Sequence, residues 1–160
     1  MQLPIDDKNL WVGQPVLTDT VVYVTSDPER ARAPMTIERL AEAPLVLPEA
    51  RWAEQDPLRR LLTERAQRAG VTLRPFVEVE LQTEAVELAA SGVGDSLVDS
   101  FVARAKGYAD RLHRVPLDPP VHEHFAFITR PRGALSPATR MFMQLTHKHL
   151  REIQGQSDQG

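Results

Sequence analysis

The sequence predicts an α/β fold. Stretches with the strand period of two, or short continuous apolar runs, alternate along the chain with stretches of helical period. One stretch, Val77 to Phe101, contains the whole alternation in miniature. Val77, Val79 and Leu81 alternate with Glu78, Glu80 and Gln82, and an apolar run of helical length follows. Ser91-Gly92 stops that run, and Asp95 to Val98 reads as a second strand, so the unit is a short βαβ crossover. The pattern extends through most of the chain, which implies a largely parallel sheet.

Residues 1–14 show little periodicity beyond the cluster Leu10-Trp11-Val12. Thr20 to Thr25 is β-branched and aromatic and is bounded by Asp27-Pro28, so it reads as a strand. Thr36 is placed to cap a short helix from Ile37 to Ala41. Leu45-Val46-Leu47, framed by Pro44 and Pro48, is a strand of the kind buried on both faces. Asp56-Pro57 is an N-cap followed by proline at the first helical position, and the helix it opens runs to Ala69 before Gly70. Its apolar stripe is Leu58, Leu61, Leu62, Ala66 and Ala69. In the organising unit Thr83 is the expected cap of the helix, with Gln82 as the rival.

Phe101 to Ala103 suggests one more helical turn, closed by Gly107. Leu112 to Leu117 and His122 to Thr129 read as strands, the second burying Phe125, Phe127 and Ile128. Ser136-Pro137 opens a last helix to Ile153, with Ala138, Met141, Phe142, Leu145 and Ile153 as its core stripe.

The chain has 160 residues, enough for one domain or two small lobes, and its 42% hydrophobic and 26% charged content is that of a soluble globular protein. A net charge of −3 argues against a nucleic-acid-binding face. The absence of cysteine excludes disulfides, iron–sulfur clusters and cysteine nucleophiles, and fits a reducing compartment. No apolar run is long enough to span a membrane, and residues 1–15 lack a basic start with an apolar core. A cytoplasmic location is the expectation.

The elements in this order resemble a known family. The segments are PVLTDTVVYVTSDPE, MTIERLAEAPLVLPE, DPLRRLLTERAQRAGVTLRPFVEVELQTEAVELAASGVGDSLVDS, LHRVPLDPP and HEHFAFITRPRGALSPATRMFMQLTHKHL. Together they are similar to the C-terminal part of the effector-binding domain of LysR-type transcriptional regulators. The most specific pieces are the T-x-E-x-L-A-x-x-P-L helix and the A-x-G-x-G unit. The resemblance implies two Rossmann-like lobes of the periplasmic-binding-protein type, one lobe complete and the other truncated. The lobe boundaries it suggests are 18–117 for the second lobe and 1–17 with 118–153 for a partial first lobe. Residues 154–160 are expected to be a disordered tail.

By the same resemblance the chain is a sensor and not an enzyme. It binds a small acidic or polar metabolite between its lobes and works in a homo-oligomer. DNA is reached only through a helix-turn-helix domain absent from these residues, with no membrane partner and no cofactor. The alternative is a free-standing small-molecule binding protein of the periplasmic type, but residues 1–20 carry no export signal. The chain departs from the family pattern G-x-G-x-x-x-x-P, having Asp95 and, in place of the proline, Asp99.

The predicted effector site follows from the βαβ unit. Ligands of open α/β sheets sit at the carboxyl ends of strands, where helix N-termini offer free amides. Leu47, Pro48 and Glu49 are expected to line it from one strand end, Gln82 and Thr83 from the helix start, and Gly94, Asp95 and Ser96 from the next turn. Phe125 is added from the other lobe. The helix amides of Glu84 and Ala85 are expected to face the ligand.

Other chemistry is weaker. Ser96, Ser100, Thr83 and Ser136 lie outside any G-x-S-x-G pattern. His122 and His124 share a strand face but lack an evident third metal ligand, and His147 and His149 fall on different helix faces. Asp95 and Asp99 suit either a basic ligand or an ion pair with Arg104. Trp52 suits ligand stacking or packing.

Overall fold

A computed structural model describes residues 10–105, 107–108, 110–130 and 135–157; the side chains of Trp52 and of residues 154–157 lie outside that description. The chain divides into two units, Thr20–Val121 and the combination of Met1–Asp19 with His122–Gly160.

In the Thr20–Val121 unit, strand β1 (Trp11–Thr25) contributes its second half. It is followed by α1 (Ile37–Glu42), β2 (Leu45–Leu47), α2 (Pro57–Ala69), β3 (Val77–Glu78), α3 (Gln82–Ala90), β4 (Asp95–Asp99), α4 (Ser100–Ala103) and β5 (His113–Pro116). The strand order is β3-β2-β4-β1-β5. Strand β2 pairs in parallel with β3 and β4, whereas β1 runs antiparallel to both β4 and β5. The sheet is therefore mixed, not largely parallel as expected. Periodicity identifies a strand but says nothing of which distant strand it pairs with. The crossover β3–α3–β4 also places β2 between its two strands.

The period of two sorts the core. Val21, Tyr23, Leu45, Leu47 and Leu97 join Leu40 of α1 and Leu58 and Leu62 of α2 on one face. Val24, Val46 and Val98 join Ala85, Val86 and Ala89 of α3 and Ala103 of α4 on the other. Helices thus cover both faces, as a fully buried central sheet requires.

The local signals that hold are caps. Thr36 Oγ1 accepts from the Arg39 amide (3.4 Å) and Asp56 Oδ1 from the Arg59 amide (2.8 Å). Gly70, at φ 71°, closes α2 in the left-handed conformation. Strand β3 is shorter than its alternation suggests. After Val79, whose amide still reaches Leu47 O, the carbonyls of Val79 and Glu80 accept from Ala50 and Glu49 in the turn after β2.

In the other unit, β6 (His122–Thr129) pairs with β1, and α5 (Pro137–Ser157) follows. Phe125 and Phe127 are partly buried, but Ile128 is 43% exposed and not in a core. The expected core stripe of α5 is largely exposed too: Met141 57%, Phe142 67% and Leu145 59%. Helical periodicity marks an apolar face without saying what covers it. The helix continues past Ile153 to Ser157, into the stretch expected to be a disordered tail; residues 158–160 lie outside the described residues. Among the described residues no helix is long and apolar enough to cross a membrane.

Candidate functional site

The parallel strands give the sheet of the Thr20–Val121 unit two distinct edges. The register pairs Leu47 with Glu78 at the carboxyl ends of β2 and β3, and Leu45 with Asp95 at the amino ends of β2 and β4. Asp99 therefore ends β4 on the same edge as Leu47, and Gly94 to Ser96 lie on the opposite edge. The structure brings Leu47, Pro48, Glu49 and Gln82 to the carboxyl edge and does not bring Gly94, Asp95 and Ser96 there. Phe125 lies on β6 in the other unit.

The three residues at the amino edge have structural partners. A Cβ on Gly94 would lie 2.4 Å from Pro44 O and 2.9 Å from the Val46 side chain, so glycine is required where β4 passes β2. Ser96 Oγ, buried, donates to Val46 O (2.7 Å). Asp95 is buried, and its Oδ2 accepts from the Tyr23 hydroxyl (2.5 Å) and the Arg30 guanidinium (2.6 Å). Burial, then the bond to Asp95, pushes the Tyr23 hydroxyl well above its usual pKa, and Arg30's own bond to Asp95 raises the guanidinium. Asp95 thus has an ion pair, with Arg30 and not with Arg104.

At the carboxyl edge, Glu49 adopts φ 61° and ψ 39°, a left-handed conformation uncommon for a residue with a side chain. Its amide donates to Glu80 O (3.4 Å) and the Ala50 amide to Val79 O (3.0 Å), which hold the turn against the end of β3. Arg59 reinforces it from α2, donating to Pro48 O (3.5 Å) and pairing with Glu78. Burial raises the Glu49 carboxyl above its usual pKa, and the charges of Asp56 and Glu80 add to the shift.

The start of α3 differs from expectation. Leu81, not Thr83 or Gln82, occupies the N-cap position. Leucine has no side-chain acceptor, so the capping comes from Glu84, whose Oε2 accepts from the amides of Glu80 (3.2 Å) and Leu81 (3.0 Å). The Glu84 and Ala85 amides both donate to Leu81 O (3.1 and 3.2 Å), so they are spent within the helix and do not await a ligand. Thr83 is exposed. The signal that finds this cap is Glu84 itself, three residues beyond Leu81.

The sequence suggests Asp99 only as a partner for a basic ligand or for Arg104, not as a residue lining the candidate site. Asp99 is buried at the end of β4. Gln82 Nε2 donates to its Oδ2 (3.0 Å) and Gln82 Oε1 accepts from its amide (2.9 Å). This clasp joins the first residue of α3 to the junction of β4 and α4, where Arg104 donates to Ser100 Oγ (2.6 Å). The two residues are far apart in sequence, so no local pattern reveals them.

Several other candidates have side-chain or backbone partners. Ser136 Oγ accepts from the Thr139 amide (3.1 Å) as the cap of α5. His124 Nδ1 lies 2.9 Å from Thr18 Oγ1, His147 accepts from Arg151, and His149 lies 3.7 Å from Glu152. Among the described residues no three potential metal ligands cluster. A surface cavity of about 440 Å³ on α5 is lined by Gln144, His147, Lys148, Arg151 and Glu152, includes none of the predicted site residues, and draws its lining from one helix.

The model of the LysR substrate binding domain matches residues 3–151. The chain belongs to this family. Among solved structures, the effector-binding domain of QuiR in complex with shikimate is similar at 14% identity and TM-score 0.69, over 92% of this chain and 68% of that one. The regulatory domain of CcmR from Synechocystis in complex with 2-PG is similar at 18% identity and TM-score 0.72, over 96% and 71%. HinK, a LysR family transcriptional regulator from Pseudomonas aeruginosa, is similar at 16% identity and TM-score 0.68; this chain is covered over 94% but spans only 51% of HinK. Among curated proteins none matches. At these identities the likeness establishes the fold, which is the periplasmic-binding-protein-like α/β fold of LysR effector-binding domains. The family is one of regulatory domains.

Proposed function

We propose that this chain is the effector-sensing part of a cytoplasmic LysR-type transcriptional regulator and is not an enzyme. The effector is a small polar metabolite held at the carboxyl edge of the Thr20–Val121 unit, by Leu47, Pro48 and Glu49 together with Gln82. The observation that carries the reading is the convergence of the β2 turn, the α3 start and the β4–α4 junction on one edge, in a chain of this family. That two relatives are described with shikimate and 2-PG supports a small polar ligand. The family match supports a regulator over a free-standing binding protein. The effector acts by population shift: it binds one arrangement better and draws the ensemble toward it, and the whole oligomeric protein passes the shift to its DNA-binding domain.

A metabolite panel read by thermal unfolding tests this. A ligand present at a hundred times its Kd stabilises by about 2.7 kcal/mol, which raises Tm by roughly 5–11 °C for a chain of this size. The expected hit loses most of its effect in Glu49→Ala. A hit that is unaffected in both Glu49→Ala and Gln82→Ala moves the site elsewhere.

A further inference from the structure

We propose that a second copy of this chain docks on the outer face of α5, and that the part it presents is the margin of its sheet at β3. The contact is heterologous: an apolar, cationic face in one copy meets an apolar, acidic face in the next. It does not depend on the effector site.

Helix α5 has two apolar faces. Met143, Leu150 and Ile153 recur at helical spacing and are partly buried, so they form the inner face. Ala138, Met141, Phe142 and Leu145 share another face and are exposed, Phe142 to 67%. Arg140, Gln144, Lys148 and Arg151 run at helical spacing along one flank of this outer face, and the cavity of about 440 Å³ opens on that flank. Among the described residues none of these three cations has a carboxylate partner: Arg140 donates to Leu135 O, Arg151 donates to His147, and Glu152 lies by His149.

The sheet of the Thr20–Val121 unit carries the counterpart. Strand β3 is its outermost strand, and two exposed apolar side chains, Phe76 and Leu81, bracket it. Glu78 and Glu80 stand between them with their carboxylates close to half exposed. Negative charge gathers here: Asp56 and Glu80 both act on the Glu49 carboxyl, and Arg51, Arg59 and Arg74 do not balance Glu49, Asp56, Glu78, Glu80 and Glu84. Each face thus has an aromatic anchor and a charged border, and the two borders are of opposite sign, which favours the contact and fixes its partner. Charge also argues against α5 meeting itself. Two copies of the helix laid antiparallel about Leu145 would set Arg140 of one beside Arg151 of the other. Because every copy carries both faces, each gives one contact and receives one.

The test is sedimentation of the 160-residue chain, of Phe76→Ser, of Phe142→Ser, and of the two variants mixed in equal amounts. The parent is expected to associate at roughly tens of micromolar, less so as salt rises, and each variant alone to associate about tenfold more weakly. The mixture is expected to recover association, in species holding one chain of each kind, because the Phe76 variant keeps its α5 face and the Phe142 variant keeps its β3 margin. Three results overturn the proposal: a monomeric parent, a Phe76→Ser chain that associates like the parent, or a mixture no better than its components. The second of these would mean that α5 meets itself or another surface. Both positions are exposed, so the variants should fold; if either loses its cooperative melting, Lys148→Glu and Glu80→Lys take their places in the same comparison and are read in the same way.

Discussion

Replacing Asp95 by alanine tests whether this carboxylate is a structural anchor. The side chain is buried at the amino end of β4 and accepts from two donors. The Tyr23 side chain is fully buried, so its hydroxyl loses the carboxylate acceptor and keeps only its bond with the Thr25 side chain; a buried donor that loses its acceptor costs about 1–3 kcal/mol. Arg30 is 41% exposed and turns to solvent, so its ion pair is worth the surface figure of about 0–1 kcal/mol. The expected loss for Asp95→Ala is thus roughly 1–4 kcal/mol. With a urea m-value of about 1–3 kcal/mol/M, the midpoint falls by about 1 M at unchanged m. Tyr23→Phe supplies the second arm of a double-mutant cycle. Removing the hydroxyl is costly in the parent chain and nearly free once Asp95 is gone, giving a coupling energy of about 1 kcal/mol. A stability within about 0.5 kcal/mol of the parent for Asp95→Ala, or strict additivity with Tyr23→Phe, refutes the reasoning.

Gly94→Ala is expected to cost about 1–3 kcal/mol by overpacking, because its Cβ falls on the main chain of Pro44; an unchanged urea midpoint contradicts this. Thr83→Val should leave stability within about 0.5 kcal/mol, whereas Glu84→Ala should cost roughly 0.5–2 kcal/mol through the lost cap; calorimetric melting of the two side by side reads the difference. The Glu49 carboxyl has a raised folded pKa, so its contribution favours folding below the usual carboxylate pKa and is lost as pH rises through the folded value. Glu49→Gln should therefore be the more stable chain at pH 7, with the advantage gone at acid pH, as urea midpoints across that range would reveal. The exposed Met141, Phe142 and Leu145 of α5 should drive association at tens of micromolar, on the order of concentrations where such patches pair, and a clean monomer in sedimentation counts against it.

What was legible in the sequence was what is decided locally. Thr36 and Asp56-Pro57 announce their helices because capping bonds span three residues, and Gly70 ends α2 because only the left-handed conformation closes it there. Strand β6 was readable from His122 to Thr129 by its alternation. The antiparallel half of the sheet was not, since pairing between β1, β4 and β5 depends on residues far apart in the chain. The same separation hid the partner of Asp95, 65 positions away in Arg30, and the clasp of Gln82 with Asp99. The site was half legible for a geometric reason. The βαβ unit brings Gln82, which opens α3, to the carboxyl edge, but Gly94 to Ser96 begin the returning strand and so lie at its amino end. The cap at Leu81 was missed because a leucine carries no signal of its own and Glu84 supplies the bonds from one turn on.

Amide hydrogen exchange on the chain, with and without a saturating effector, tests the central claim most directly. The account predicts new protection at Leu47 to Ala50, Val79 to Gln82 and Asp99 to Ser100, the segments that meet at the carboxyl edge. Protection confined to Leu45 and Val93 to Asp95 at the amino edge, or to α5, would contradict it.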